Sequence, residues 1–247
     1  MRLPAVVLRA GVLAALVCMD PSESVSSDTD NARQSAELIS ALLVAGRGVV
    51  AQHQAKINDP SIGDKGFTPE YVDGLIRKAF EESSGTPIDA VEPAEVRTNL
   101  VAFLDASKEA IRNNQDRINA PGIAFKGFIP AVYGRITGNV LKGKTGIELK
   151  QTAILFRNAY NEPDAFEAKV LDEFQRTKPE NGHGEVESGY YRYLRPIYIK
   201  EACLTCHGEP KGEPDIAGRP KEGYKVGDLR GAISVSVPIS NDQAHAN

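Results

Sequence analysis

An internal repeat constrains this chain's fold more than any other feature. Displaced by 61 positions, Gln54, Ile57, Asn58, Pro60, Ile62, Lys65, Gly66, Phe67 and Pro69 fall on Gln115, Ile118, Asn119, Pro121, Ile123, Lys126, Gly127, Phe128 and Pro130, nine identities in sixteen positions. Upstream, Ile39, Leu43, Val50 and Ile57 form one helical stripe, and Leu100, Leu104, Ile111 and Ile118 form its counterpart. Each unit therefore reads helix, Lys-Gly-Phe loop, helix. Pro69 and Pro130 suit the first turn of the second helix, where a missing N–H costs nothing, and those helices are predicted over about 70–82 and 131–141. Two copies are too few for a solenoid, so two helical hairpins packed on each other or on a neighbouring sheet are expected. Lys65 and Lys126 are read as solvated lysines beside glycine turns, with anion binding as the alternative.

Past Gly146 the pattern changes to strand-like runs over 147–155, 189–199 and 231–238. In the last run Ile233, Val235 and Val237 alternate with Ala232, Ser234 and Ser236, as in a half-buried strand. A helix is predicted over about 163–176 with Asn161 as its cap, residues 182–188 are read as loop, and the long Gly/Pro/Lys-rich stretch 208–227 as a ligand-covering loop. The fold class is α+β, with a helical repeat region over 27–145 packed on an antiparallel sheet region over 146–240.

With 41% hydrophobic and 25% charged residues the composition is that of a globular chain. Lys and Arg total 29 against 33 Asp and Glu, so no basic field invites nucleic acid or an anionic membrane. At the amino end, Arg2 and Arg9 flank a short apolar start, 10–18 is apolar, and Ser24-Val25-Ser26 supplies a small-x-small cleavage pattern. Residues 1–26 read as a secretory signal, with an uncleaved anchor or lipidation at Cys18 as alternatives. No other membrane-length run is read. Cleavage removes Met1, Cys18 and Met19, leaving no methionine and only Cys203 and Cys206 as thiols in the domain 27–247.

Cys203-Leu204-Thr205-Cys206-His207 is the C-x-x-C-H arrangement that attaches haem c. Two thiols at this spacing match the haem vinyl groups, and His207 follows as an axial iron ligand. A zinc site lacks a second ligand pair, a thioredoxin-type motif belongs at a helix start after an early strand, and a structural disulfide leaves the histidine unexplained. The remaining histidines are His53, His183 and His245.

From about Gln34 to Val237 the sequence resembles the PAS-like c-type haem family, long catalogued as a domain of unknown function. Lys150-Gln151-Thr152, Arg157-Asn158, Pro163 to Glu167, Arg192-Tyr193, Arg195-Pro196, Lys200 to Gly208 and Gly227 to Ala232 carry the match. The resemblance implies a PAS-like sheet holding one covalent haem c, with redox-sensing or electron-transfer roles. Some members are ligated on the far face of the haem by a cysteine from the early helix, and this mature chain has none to spare. Histidine or an open position is left. His53 lies on the apolar stripe with Asn114 as its repeat partner, and is either a distal ligand or a hydrogen-bonded polar side chain between helices. Arg157, Arg192, Arg195 and Arg230 lie near the expected haem strands and are read as propionate partners, with water or a surface carboxylate as the alternative.

The sequence therefore predicts an exported, periplasmic-type mono-haem protein for one-electron transfer or redox sensing, working with a redox partner protein or small redox molecule. No stable membrane span after cleavage and no enzymatic activity are expected. A diatomic-gas sensor and a haem peroxidase are the alternatives.

Overall fold

The computed structural model describes residues 21–239, with side chains from 26 onward. Residues 1–20 of the signal segment, Cys18 among them, therefore lie outside the described residues, as does His245. Six helices come first, α1 (Pro21–Gln52), α2 (Gln54–Asn58), α3 (Pro69–Ser84), α4 (Ala94–Arg112), α5 (Gln115–Asn119) and α6 (Pro130–Thr145). Then follow β1 (Glu148–Thr152), α7 (Ala165–Thr177), β2 (His183–Glu187), β3 (Tyr190–Tyr198), α8 (Glu201–His207) and β4 (Leu229–Pro238). The strands form one antiparallel sheet in the order β1-β4-β3-β2.

The repeat is visible as an approximate two-fold exchange. Gln54 Nε2 donates to Phe128 O and Gln115 Nε2 to Phe67 O, both at 2.9 Å. Lys65 N donates to Asn119 Oδ1 and Lys126 N to Asn58 Oδ1, both at 3.0 Å. The repeated glutamine, asparagine and lysine backbone are thus what bind the other copy. Gly66 and Gly127 sit at φ 59° and 65°, which only glycine adopts without strain, so the Lys-Gly-Phe turn recurs with its geometry intact. Ile57, Phe67, Ile118 and Phe128 are wholly buried beneath these turns.

Lys65 and Lys126 are not solvated. Their side chains are buried, and each ammonium donates to two loop carbonyls, of Asp59 and Ile62 in one copy and of Ala120 and Ile123 in the other. A buried ammonium needs such acceptors, and its own loop supplies them. The lysines close their own loops, so the solvated reading is corrected.

Three layers result. The repeat helices cover one sheet face, where Ile233, Val235 and Val237 join Ile39, Leu43, Phe103 and Tyr133 in one core. On the other face α7 packs Phe166, Val170, Leu171 and Phe174 against Leu194, Leu229 and Ala232. Within α1, Ser26–Gln52 is long and apolar enough to cross a membrane, a run that the sequence reading passed over, yet half of its most apolar window is buried inside the protein. A helix packed between α3, α4, α6 and a sheet needs apolar residues on several sides.

Two local readings change. Residues 183–187 form an edge strand rather than a loop, paired with β3 through a turn in which Ser188 and Gly189 both have positive φ. Lying half open to water, His183-Gly184-Glu185-Val186-Glu187 shows none of the apolar alternation that marks a buried strand. The cap of α7 is Asp164 rather than Asn161: its carboxylate accepts from Glu167 N at 2.9 Å, and Glu167 answers at Asp164 N.

Candidate functional site

The C-x-x-C-H pentapeptide closes the seven-residue helix α8 at the end of β3. Cys203, Cys206 and His207 stand at i, i+3 and i+4, which puts all three on one helical face. Both thiols are free. The helix is pinned at its start, where Cys203 N donates to Lys200 O at 2.8 Å and Cys203 Sγ accepts from Lys200 N at 3.4 Å.

Loop 208–227 folds back over this helix. Tyr224 N donates to His207 O at 2.9 Å, and Gly227 N to Ile199 O at 2.9 Å, which fixes the loop at both α8 and the end of β3. Its organiser is Arg157. This guanidinium reaches Glu222 Oε1 at 2.5 Å and Oε2 at 2.7 Å, Asp215 Oδ2 at 2.6 Å and Cys206 O at 2.7 Å. Burial alone lowers its pKa, but the two carboxylates more than reverse that and raise it. Burial pushes Glu222 and Asp215 up, and their hydrogen bonds with Arg157 and its neighbours bring both below the ordinary carboxylate range.

His207 Nδ1 lies 2.9 Å from Glu222 Oε2, which leaves Nε2 as the ring nitrogen for a metal. Burial pulls the imidazole pKa down, only partly opposed by Glu222, which favours the neutral ring that ligation requires. Burial raises the Cys206 thiol, with Asp215 adding to it. The donor set therefore fits haem c: two free thiols and an imidazole with an oriented free nitrogen. Leu155 and Phe156 are 59% and 40% exposed, and the Leu155 carbonyl accepts from Arg230, so apolar surface stands open beside the charged groups.

Of the four arginines expected near the haem, two reach this group. Arg157 is its hub, and Arg230 lies 3.8 Å from Glu222 and over the Tyr224 ring at 5.8 Å. Arg192 is instead tied to Asp164 at 2.5 Å and Glu187 at 2.6 Å, above Phe166 on the α7 side. Arg195 links β3 to α1 through Ser40 Oγ at 2.7 Å. His53 has its ring nitrogens engaged elsewhere, Nδ1 with Val49 O at 2.8 Å and Nε2 with Tyr71 Oη at 3.1 Å, against Phe67. His183 sits on the edge strand β2, 3.7 Å from Glu185. Neither histidine is in contact with the α8 group.

Two members of the site were missed from sequence, Asp215 and Glu222, each one acid among several in a polar loop, with nothing in its spacing to set it apart.

No curated protein matches the chain. Among solved structures, the crystal structure of the cyanobacterial haem protein Tll0287 aligns at 21% identity and a TM-score of 0.43, covering 62% of this chain and 99% of that one. The Tll0287-like family model matches residues 26–238, from the start of the described side chains to the end of β4, and the chain belongs to the Tll0287-like family.

Proposed function

We propose that the protein is an exported mono-haem c-type protein for one-electron transfer or redox sensing, with His207 as the proximal ligand through Nε2. The observation that carries this is the shared face of Cys203, Cys206 and His207, with Nδ1 of His207 held by Glu222. Likeness to a family whose named member is a haem protein supports it.

Attachment is an addition: each Sγ–H adds across a vinyl double bond, sulfur bonding to one carbon and hydrogen to the other. Atoms balance with no external oxidant or reductant, provided that the two thiols have not first joined as a disulfide. The haem supplies an iron that changes by one electron, and the chain sets the potential by ligation, burial and hydrogen bonding. Glu222 is the strongest such lever, because a carboxylate on Nδ1 makes the imidazole a better donor and favours the ferric state. His53, hydrogen-bonded between α1 and α3, is read as structural. The partner is a redox protein or small redox molecule, and the signal sequence is expected to send the chain to the periplasm.

The test is maturation with the haem c attachment machinery followed by acid-acetone extraction. Haem that stays with the protein, and is lost in Cys203→Ala/Cys206→Ala, supports the reading. Extractable or absent haem sinks it. Glu222→Gln is expected to raise the reduction potential while leaving the haem attached.

A further inference from the structure

The two copies of the repeat differ where α1 meets the haem-attachment site. In the second copy, the counterpart of Arg47 is Lys108, which has its own carboxylate, Asp105 Oδ1 at 2.9 Å on the preceding turn. In the first copy, Asp105 is replaced by Val44, and Arg47 has no such neighbour. Its Nε is sealed from solvent with no hydrogen-bond partner. The groups that act on it are Arg230, another cation, and Cys203.

Its position follows from the helix. Ser40 touches Arg195 on β3, and seven residues carry the same face of α1 about 10 Å further along. That takes Arg47 past Arg195 toward the end of the sheet, where β3 leads into α8. Burial drives its pKa down to about 10, which still leaves the guanidinium charged at neutral pH.

A guanidinium with its Nε sealed from water and unpartnered, beside a second cation, is costly to the fold alone. It cannot ligate iron, since a protonated guanidinium offers donors only. We infer that Arg47 is an anion-holding residue of the haem site, whose partner arrives with the cofactor. The anion is either a haem propionate or a small anion on the far face of the iron. This rests on the haem reading above but does not follow from it, since Arg47 lies outside the attachment motif.

The experiment compares wild type, Arg47→Leu and Arg47→Lys, each carrying haem, by redox titration and by titration of the ferric protein with sodium azide. The same changes are made in the haem-free Cys203→Ala/Cys206→Ala chain and followed by thermal unfolding. Arg47→Leu is expected to leave the haem-free chain at least as stable as its parent, because an unpaired charge is removed. In the haem-loaded chain, a fall in potential with azide affinity unchanged assigns the propionate. A loss of azide affinity of tenfold or more at unchanged potential assigns the far-face anion. Arg47→Lys, which keeps the charge, should recover part of either effect. Unchanged potential and unchanged azide affinity overturn the inference, as does an equal destabilisation of the haem-free and haem-loaded chains. Wild type without acid-stable haem instead overturns the haem reading itself, and with it the inferred partner of Arg47.

Discussion

The two repeat copies spend the same sequence on the same bonds, and where they part company they are answering different neighbours. Gln54 and Gln115, Asn58 and Asn119, and Lys65 and Lys126 make matched contacts across or within the pair. Even His53 and Asn114 agree in part, each placing a side-chain nitrogen 2.8 Å from the carbonyl four residues back. An asparagine that does a histidine's job speaks for a structural histidine. Arg47 and Lys108 do not agree: one is acted on by Arg230 and Cys203, the other is paired with Asp105. Symmetry marks what the fold needs, and its loss at Arg47 is where a site role is inferred.

The largest way to separate the helical half from the site half is Arg157→Leu. It leaves Glu222 and Asp215 without their guanidinium in a largely buried setting, at a cost of roughly 3 kcal/mol. Hydrogen exchange should rise across 208–227 while the repeat stays protected; a loss shared by both halves would contradict a loop held locally by one side chain. Next, Lys65→Met removes a buried ammonium and its bonds to two loop carbonyls and should destabilise the chain by about 2 kcal/mol in urea unfolding. Lys126→Met should act in the same direction, and a silent result in either copy would break the equivalence.

Acid offers a graded probe. Asp215 and Glu222 titrate below their unfolded values of about 3.9 and 4.3, so their contribution is complete above that range and vanishes as pH falls through the folded values. His207, lowered from 6.5, works in the same direction, since below that pH the unfolded chain takes up a proton that the folded site resists. In the haem-free chain, loop 208–227 should therefore lose protection in mild acid before the repeat does, read by hydrogen exchange at stepped pH. The smallest effect expected is His53→Asn, within about 0.5 kcal/mol and with no change in the ferric spectrum. A changed spin state would put His53 on the iron.

Much of the fold was legible because periodic burial leaves a record. The stripes of α1 and α4 and the alternation of β4 reflect faces that must meet a core, and Pro69 and Pro130 open α3 and α6 as expected. The edge strand β2 left no such record, because it has water on much of its surface and takes its pairing from β3. Asp164 displaced Asn161 as the α7 cap because only Asp164 has Glu167 three residues on to return the bond. The pentapeptide announced the site, since its chemistry depends on covalent spacing. Glu222 and Arg157 did not, being ordinary charged residues until the loop folds back and brings them to Cys206 and His207.

The sequence by itself determined the repeat, the α+β order and the C-x-x-C-H spacing, because these rest on interactions between residues close along the chain or on patterns that a core imposes. Tertiary structure alone decided which charges are buried and which find partners. Lys65 and Arg47 are both polar residues in apolar surroundings, and no local rule tells them apart. Lys65 meets two carbonyls of its own loop and is satisfied, whereas Arg47 has a sealed Nε with none, beside the group to which the haem is proposed to bind. Burial sets the cost of a charge, and only the assembled fold determines what is present to offset it.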